Sequence, residues 1–149
     1  MFQGEWKYGR MDGFGVYLNL DGDIFMGKFE GQFYEGRMDG LGIYYWPEGD
    51  MFVGEYAQDK RHGNGVYSSA TGAEYKGQYK EGHRSGYGEY TNSRGDVYEG
   101  QWRNNNRHGD GVVTLARISN EKEAEDMRKW ASVWFRDSEL SSVGLSTTS

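Results

Sequence analysis

One phrase of sixteen residues, written five times, limits the folds open to this 149-residue chain more than any other feature. It first reads FQGEWKYGRMDGFGVY, from residue 2 to residue 17. Later copies begin at residues 29, 52, 75 and 98, with a period of 23, and the first step is longer because residues 25–28 are inserted. A fixed period of this size indicates an array of small units that pack on their neighbours.

Each copy alternates as two β-strands do. In YEGQW, for example, Tyr98, Gly100 and Trp102 share one face of a strand. The residues between the two strands, and those between successive copies, are types that tolerate a positive φ. They are Gly9, Gly36, Asp59, Gly82 and Asn105 within the copies, and Gly22, Gly49, Gly72 and Gly95 between them. The sequence therefore predicts an all-β fold, an elongated single-layer antiparallel meander of five β-hairpins over residues 1–115.

The composition explains how one layer could bury enough surface. Hydrophobic residues make up 36%, too few for a thick two-sided core, whereas aromatic residues reach 16% and there are 24 glycines. Glycine has no Cβ, so we expect each aromatic ring to lie against glycine backbone on one face of the sheet. Since four is an even number, we expect the insertion at 25–28 to lengthen a strand without changing which face its side chains occupy.

The pattern Y-x-G-x-W followed by H-G-x-G-x-Y resembles the MORN (membrane occupation and recognition nexus) repeat, over residues 2–113. The resemblance implies a twisted single sheet of hairpins without enzymatic activity. It also implies a scaffold in cytoskeletal, ciliary, flagellar or membrane-junction assemblies, or an accessory module of an enzyme. Two departures are that the first two copies read MDG where the third and fifth read RHG, and that Val113 ends the fifth copy where an aromatic is expected.

Several chemistries are disfavoured by the composition. The absence of cysteine excludes disulfides, thiolate catalysis and a cysteine zinc site. No apolar run approaches a membrane span, and the net charge of −6 argues against nucleic acid as a partner. With no signal-peptide core either, we expect a cytoplasmic protein, and the family resemblance favours the cytoskeleton or the axoneme of a cilium or flagellum.

No constellation for catalysis or metal binding stands out. His62 and His108 lie four strand spacings apart, roughly 19 Å, which is too far for a shared metal. Asp12 and Asp39 would lie about 10 Å apart, but nothing else suggests a sugar cleft. The G-x-G pairs lack the helix that a phosphate loop requires. We therefore expect no enzyme activity, no cofactor and no metal.

The aromatic face is the first candidate binding surface. In a single layer some rings must stay partly exposed, and exposed tyrosine and tryptophan anchor protein interfaces. The alternative is that these rings are simply the core of the fold. The candidate partner-binding residues here are Trp6, Phe33, Tyr44, Tyr56, Tyr67, Tyr79, Tyr90 and Trp102.

The hairpin-turn edge is the second candidate. Arg61, Arg84 and Arg107 share one position of the repeat, which predicts a ridge with steps of about 10 Å. Arginine suits phosphate headgroups and acidic tails, so this ridge is a candidate anion site; the alternative is a solvated edge. It underlies a second hypothesis, a peripheral module that binds anionic phospholipid.

The opposite face and the C-terminal segment are the third candidate. Phe14, Leu41 and Ile43 form an apolar set on the face away from the rings, which indicates something that covers it. Residues 116–136 read as an amphipathic α-helix that either caps the array or docks on another chain, and its apolar stripe includes Met127, Trp130 and Trp134. Residues 137–149 are Ser/Thr-rich, and disorder is expected there.

These surfaces favour a non-enzymatic scaffold or adaptor that binds protein partners through its aromatic face and C-terminal helix. The family resemblance implies cytoskeletal or axonemal partners. The phospholipid module and a regulatory module of a larger enzyme remain alternatives. An uncovered edge strand also invites self-association.

Overall fold

The computed structural model describes residues 1–116, 121–122, 124–126, 129 and 144–145. Ten strands form one open sheet in sequence order, each antiparallel to the next, so the single-layer meander is confirmed. The strands are β1 (Phe2–Lys7), β2 (Arg10–Asp21), β3 (Ile24–Tyr34), β4 (Arg37–Tyr45), β5 (Met51–Ala57), β6 (Lys60–Ser68), β7 (Glu74–Lys80), β8 (His83–Thr91), β9 (Val97–Arg103) and β10 (Asn106–Leu115).

Two-residue turns close the five hairpins. Both residues of each turn have a positive φ, as Glu81 and Gly82 do at 50° and 87°. Two positive φ values in succession define the type I′ turn, whose twist matches that of the flanking strands. The glycine, aspartate and asparagine at the second place were predicted for this reason. The first place holds tyrosine, glutamate, glutamine or asparagine, which the sequence did not single out.

A bulge interrupts the pairing within every hairpin. In the third hairpin Gly54 pairs with Gly65 but Tyr56 pairs with Arg61, so Glu55 faces three residues of β6. The side chain of Glu55 accepts a hydrogen bond from the amide of Asn64 inside this bulge. Equivalent bonds run from Phe14 to Glu5, from Leu41 to Gln32 and from Tyr87 to Gln78. In the first four copies the glutamate or glutamine after the first glycine thus satisfies a bulge amide.

The core is a row of rings on one face, as expected. Phe52 lies over the paired Gly54 and Gly65, and a Cβ on Gly65 would come within 2.3 Å of its ring. Successive rings meet edge to face with centroids 4.9 to 5.5 Å apart, a geometry that aromatic pairs prefer. In order along the sheet, this ring row consists of Trp6, Phe2, Phe33, Phe29, Tyr56, Phe52, Tyr79, Tyr75, Trp102 and Tyr98.

The inserted residues lengthen β3 and add no strand. The prediction that the side chains keep their faces of the sheet through the insertion is wrong. Asn19 pairs with Gly27 and Leu20 pairs with Phe25, which leaves Met26 as an unpaired bulge residue. One extra residue reverses the alternation of side chains beyond it, so the even length of the insertion does not preserve the faces.

The described residues of the C-terminal segment are few. Residues 121–122, 124–126 and 129 are helical, Ala124 is buried, and Lys129 lies 3.4 Å from Glu125 one turn earlier. The rest of the helix predicted over 116–136 lies outside the described residues, including Met127, Trp130 and Trp134. Within the segment where disorder was expected, Gly144–Leu145 form a two-residue strand, β11, parallel to the end of β10. No helix in the part of the chain that is described has the length and apolar character needed to cross a membrane.

Candidate functional site

The arginine column lies on the aromatic face. The guanidinium carbon of Arg61 is 5.6 Å from the ring centre of Phe52 and 5.2 Å from that of Tyr79. Arg84 stacks in the same way, 5.6 Å from Tyr75 and 4.5 Å from Trp102. Each cation therefore bridges a ring of its own repeat and one of the next, an attractive arrangement because ring faces carry negative partial charge.

Hydrogen bonds to the neighbouring turn fix these cations further. A terminal nitrogen of Arg61 donates to the carbonyl of Gly82 at 3.2 Å, and one of Arg84 donates to the carbonyl of Asn105 at 2.9 Å. Burial lowers the pKa of Arg84 below its ordinary value. Arg61 and Arg84 are half-buried and stack on rings, so the alternative of a solvated edge is wrong. Anion binding by Arg61, Arg84 and Arg107 stays a prediction.

Methionine takes the place of arginine in the first two repeats. Met11 and Met38 pack against the ring row where the later repeats have a guanidinium. There the carboxylates of Asp12 and Asp39 accept hydrogen bonds from amides of the next turn, at 3.5 Å from Glu35 and 3.3 Å from Gln58. Each aspartate therefore holds a neighbouring hairpin.

The structure divides the predicted partner-binding rings into two groups. Phe33, Tyr56, Tyr79 and Trp102 belong to the buried core, with exposed fractions of 2 to 6%. Trp6, at the same position of the first repeat, is 60% exposed. A second row, formed by Tyr44, Tyr67 and Tyr90 near the loops between repeats, is only half-buried. This second row, with Trp6, is what a partner would reach.

Tyr67 and Tyr90 of this second row line a groove of about 640 Å³ that is built from residues of repeats two to five. Tyr67, Tyr90 and Trp46 line it near the loops, and Arg61 and Arg84 line it nearer the hairpin turns. Trp46 was missed by the sequence reasoning. The available signal was that an indole occupies the place where the neighbouring repeats have Asn19, Ser69 and Asn92.

The loop end of the groove carries fixed negative charge. The Asp50 carboxylate accepts hydrogen bonds from the Tyr67 hydroxyl and, at 2.9 Å, from the amide of Ala70. These bonds, the first above all, lower the pKa of Asp50. Burial and this contact raise the pKa of Tyr67 to about 12, so at neutral pH the hydroxyl is protonated and the carboxylate ionised.

The opposite face exposes the predicted apolar residues. Phe14 and Leu41 are 59% and 63% exposed, and Ile43 is half-buried. Tyr87 in the fourth repeat takes the place of Phe14 and Leu41, and Val112 in the fifth takes the place of Ile43. Both are exposed as well, so apolar residues recur on this face along the array. That something covers this apolar face stays a prediction.

The histidines do not come together. His83 is hydrogen-bonded to Asn105 at 2.8 Å. Among the described residues, no group of three or more histidine, aspartate or glutamate side chains is placed to hold a metal ion. The geometry described so far is that of a binding surface.

A single open sheet of repeated hairpins, with aromatic rings on one face and glycines beneath them, defines a class of β-repeat proteins. The family described as MORN repeat matches the sequence five times, at residues 2–24, 29–51, 52–74, 75–97 and 98–116, and the chain belongs to it. A search of curated proteins gave no match.

Proposed function

We propose that this protein is a non-enzymatic scaffold or adaptor that binds a polypeptide segment of a partner in the groove of its aromatic face. The observation that carries this proposal is that the half-buried Tyr67 and Tyr90 line this groove beside side chains of both charges. Tyrosine, tryptophan and arginine are the residue types that dominate the energetics of protein interfaces. A cytoskeletal or ciliary assembly as its setting is supported by the family resemblance alone.

The form of the groove supports a polypeptide as the occupant. It is open along the sheet and has cations near the hairpin turns and anions near the loops. A segment lying along the strand direction can offer side chains to the cations, the rings and the anions, whereas enclosed apolar pockets suit small molecules.

Binding of peptides selected by display on the immobilised full chain tests the proposal. Tyr67→Ala should weaken the selected peptides at least tenfold, because Tyr67 lines the groove. Tyr34→Ala is the matched control, since Tyr34 is an exposed tyrosine on the other face of the sheet. Circular dichroism and denaturant midpoints must show that both variants stay folded. Equal affinities for the two variants would contradict the proposal.

A phospholipid-binding role is the second candidate, and the column of Arg61, Arg84 and Arg107 favours it. Sedimentation with phosphatidylserine vesicles at low and high salt tests it, because electrostatic binding to headgroups weakens as salt rises. Arg84→Met is the informative variant, since methionine occupies the same position in repeats one and two and preserves the packing. Salt-sensitive vesicle binding that Arg84→Met reduces would support the lipid role, and unchanged binding would exclude this column.

A further inference from the structure

Three loops between repeats share one backbone conformation. The amide of Trp46 donates to the carbonyl of Asp50 at 3.0 Å, and the same bond joins Ser69 to Ala73 at 2.8 Å and Asn92 to Asp96 at 3.0 Å. The side chains at positions 46, 69 and 92 therefore leave the backbone at equivalent places. What differs between these loops is the side chain that each one supplies.

Among the described residues, the chain's own side chains fill two of these three places, those of Trp46 and Asn92. The indole of Trp46 lies between Tyr44 and Tyr67, with ring centroids 4.6 and 5.7 Å away. In the fourth repeat Asn92 donates to the buried carboxylate of Asp96 at 2.9 Å, and that carboxylate also accepts the amide of Ala116. The first place is thus closed by an aromatic ring and the last by a polar pair.

The middle place holds small side chains. Ser69 stands where the preceding loop has tryptophan, and Ala73 stands where both neighbouring loops have aspartate. The groove extends over these two residues, between Tyr67 and Tyr90, with the buried Tyr75 beneath. We call this space the slot.

The slot corresponds to the site that Trp46 fills, because the loop backbone makes the same hydrogen bond in both repeats. Equivalent rings of successive repeats are separated by two strand spacings, about 10 Å. That separation accommodates one ring between two others, as the position of Trp46 between Tyr44 and Tyr67 demonstrates. The backbone of the loop is the same in both places, so the slot accepts a group of the same size.

The charge beside the slot defines its occupant further. Asp50 and Glu48 also line the groove at this end, and the bonds that Asp50 accepts favour its ionised form. A carboxylate beside an aromatic slot favours a cationic neighbour on the incoming segment.

We propose that the slot between Tyr67 and Tyr90 receives an aromatic side chain, tryptophan above all, that a basic residue flanks in the partner's sequence. This inference rests on the proposed function and names the anchor by which the partner segment is held. Buried aromatic anchors in preformed pockets contribute most of the affinity of such interfaces.

The direct test uses N-acetyl-tryptophanamide as the probe and amide NMR spectra of the full chain as the measurement. We expect saturable shifts centred on Ser69, Thr71 and Ala73. Ser69→Trp should abolish them by filling the slot from within, whereas Ser93→Trp, in the next loop and exposed, should leave them intact. Shifts that persist in Ser69→Trp, or no saturable shifts at these amides, would overturn the inference.

Peptides separate this inference from the proposed function. Those selected by display on the wild-type chain should contain an aromatic residue beside lysine or arginine, and should lose at least tenfold in affinity for Ser69→Trp but not for Ser93→Trp. If they bind Ser69→Trp equally well while Tyr67→Ala weakens them, the anchor is wrong and the adaptor function stands. If Tyr67→Ala leaves them unaffected, the adaptor function fails independently of the probe result.

Discussion

The second glycine of each returning strand lies beneath a ring of the hairpin. Gly65 has no positive φ, so its role is not conformational. A Cβ there would come within 2.3 Å of the Phe52 ring, whereas one on Gly82 would have nothing within 4 Å. Gly82 is instead required by its φ of 87°. Glycine is thus needed at these two positions of the repeat for different physical reasons, close approach at Gly65 and backbone conformation at Gly82.

Two substitutions test these two roles of glycine separately. Gly65→Ala should cost about 1–3 kcal/mol of unfolding free energy, because the ring must move from a well-packed position. Gly82→Asn should change that free energy by less than about 0.5 kcal/mol, since asparagine tolerates a positive φ. Asn105 already holds φ at 67° in the same place of the fifth repeat. Urea unfolding measures both, and equal costs would refute the distinction.

At the scale of the hairpin, the bulge is stabilised by one side chain. Gln78 accepts the amide of Tyr87 at 2.9 Å, and Glu5 and Glu55 act in the same way in their own hairpins. Inside a bulge this amide has no partner on the facing strand, so the side chain replaces the ladder bond.

We therefore predict that Gln78→Ala speeds hydrogen exchange of the Tyr87 amide about tenfold and costs about 0.5–1.5 kcal/mol of unfolding free energy. Gln78→Glu should exchange at the wild-type rate, because a carboxylate serves at the equivalent position of two other repeats. If alanine and glutamate protect the Tyr87 amide equally, the side chain does not stabilise the bulge.

The hairpins and their turns could be predicted because they depend on local residue types. Alternation marks the strands, and Gly82 or Asn105 at the turn needs a positive φ whatever the rest of the chain does. The bulges could not be foreseen, because a strand that pairs one residue against three shows the same alternation on either side of the slip. The single unpaired residue Met26 makes a different slip, one that reverses the faces and was not foreseen either.

The site was predicted less well because it depends on contacts between repeats. The repeat predicts that Arg61 and Arg84 lie in one column of the sheet. Only the structure shows that their side chains turn inward onto rings of two successive repeats. In the same way, the repeat pattern cannot tell Tyr56, which is buried, from Tyr67, which is half-buried. Burial here is set by the neighbouring repeat, which a single copy of the phrase does not contain.

Across the whole molecule, the ring row makes each repeat depend on the one before it. Phe33 touches both Phe2 and Phe29, and Tyr79 touches both Phe52 and Tyr75. Trp6, by contrast, meets the single described ring of Phe2 and stays exposed. Stability of such an array is the sum of the hairpins and of these contacts between them.

The change of stability with pH, as the core tyrosines titrate, should reveal how far the repeats depend on one another through the ring row. Burial raises the pKa of Tyr56, Tyr75 and Tyr79, and raises that of Tyr67 to about 12. A group whose pKa is raised on folding binds its proton more tightly in the native state than in the unfolded chain. Its contribution to stability is therefore complete below the ordinary tyrosine pKa of 10.0 and is lost as the pH rises through the folded value.

We predict that the array keeps its stability up to about pH 10 and then unfolds cooperatively before pH 12, as tyrosinate forms in repeats three and four. Urea midpoints measured from about pH 8 to pH 12, with tyrosinate absorbance followed in parallel, check this. Tyr67→Phe removes one such group, so its stability should fall less steeply with pH in this window than that of the wild type. Ionisation of the buried hydroxyls must expose the ring row to water, so it should lower the urea midpoint. A urea midpoint that stays flat between pH 10 and pH 12 would show that these hydroxyls do not control the stability of the array.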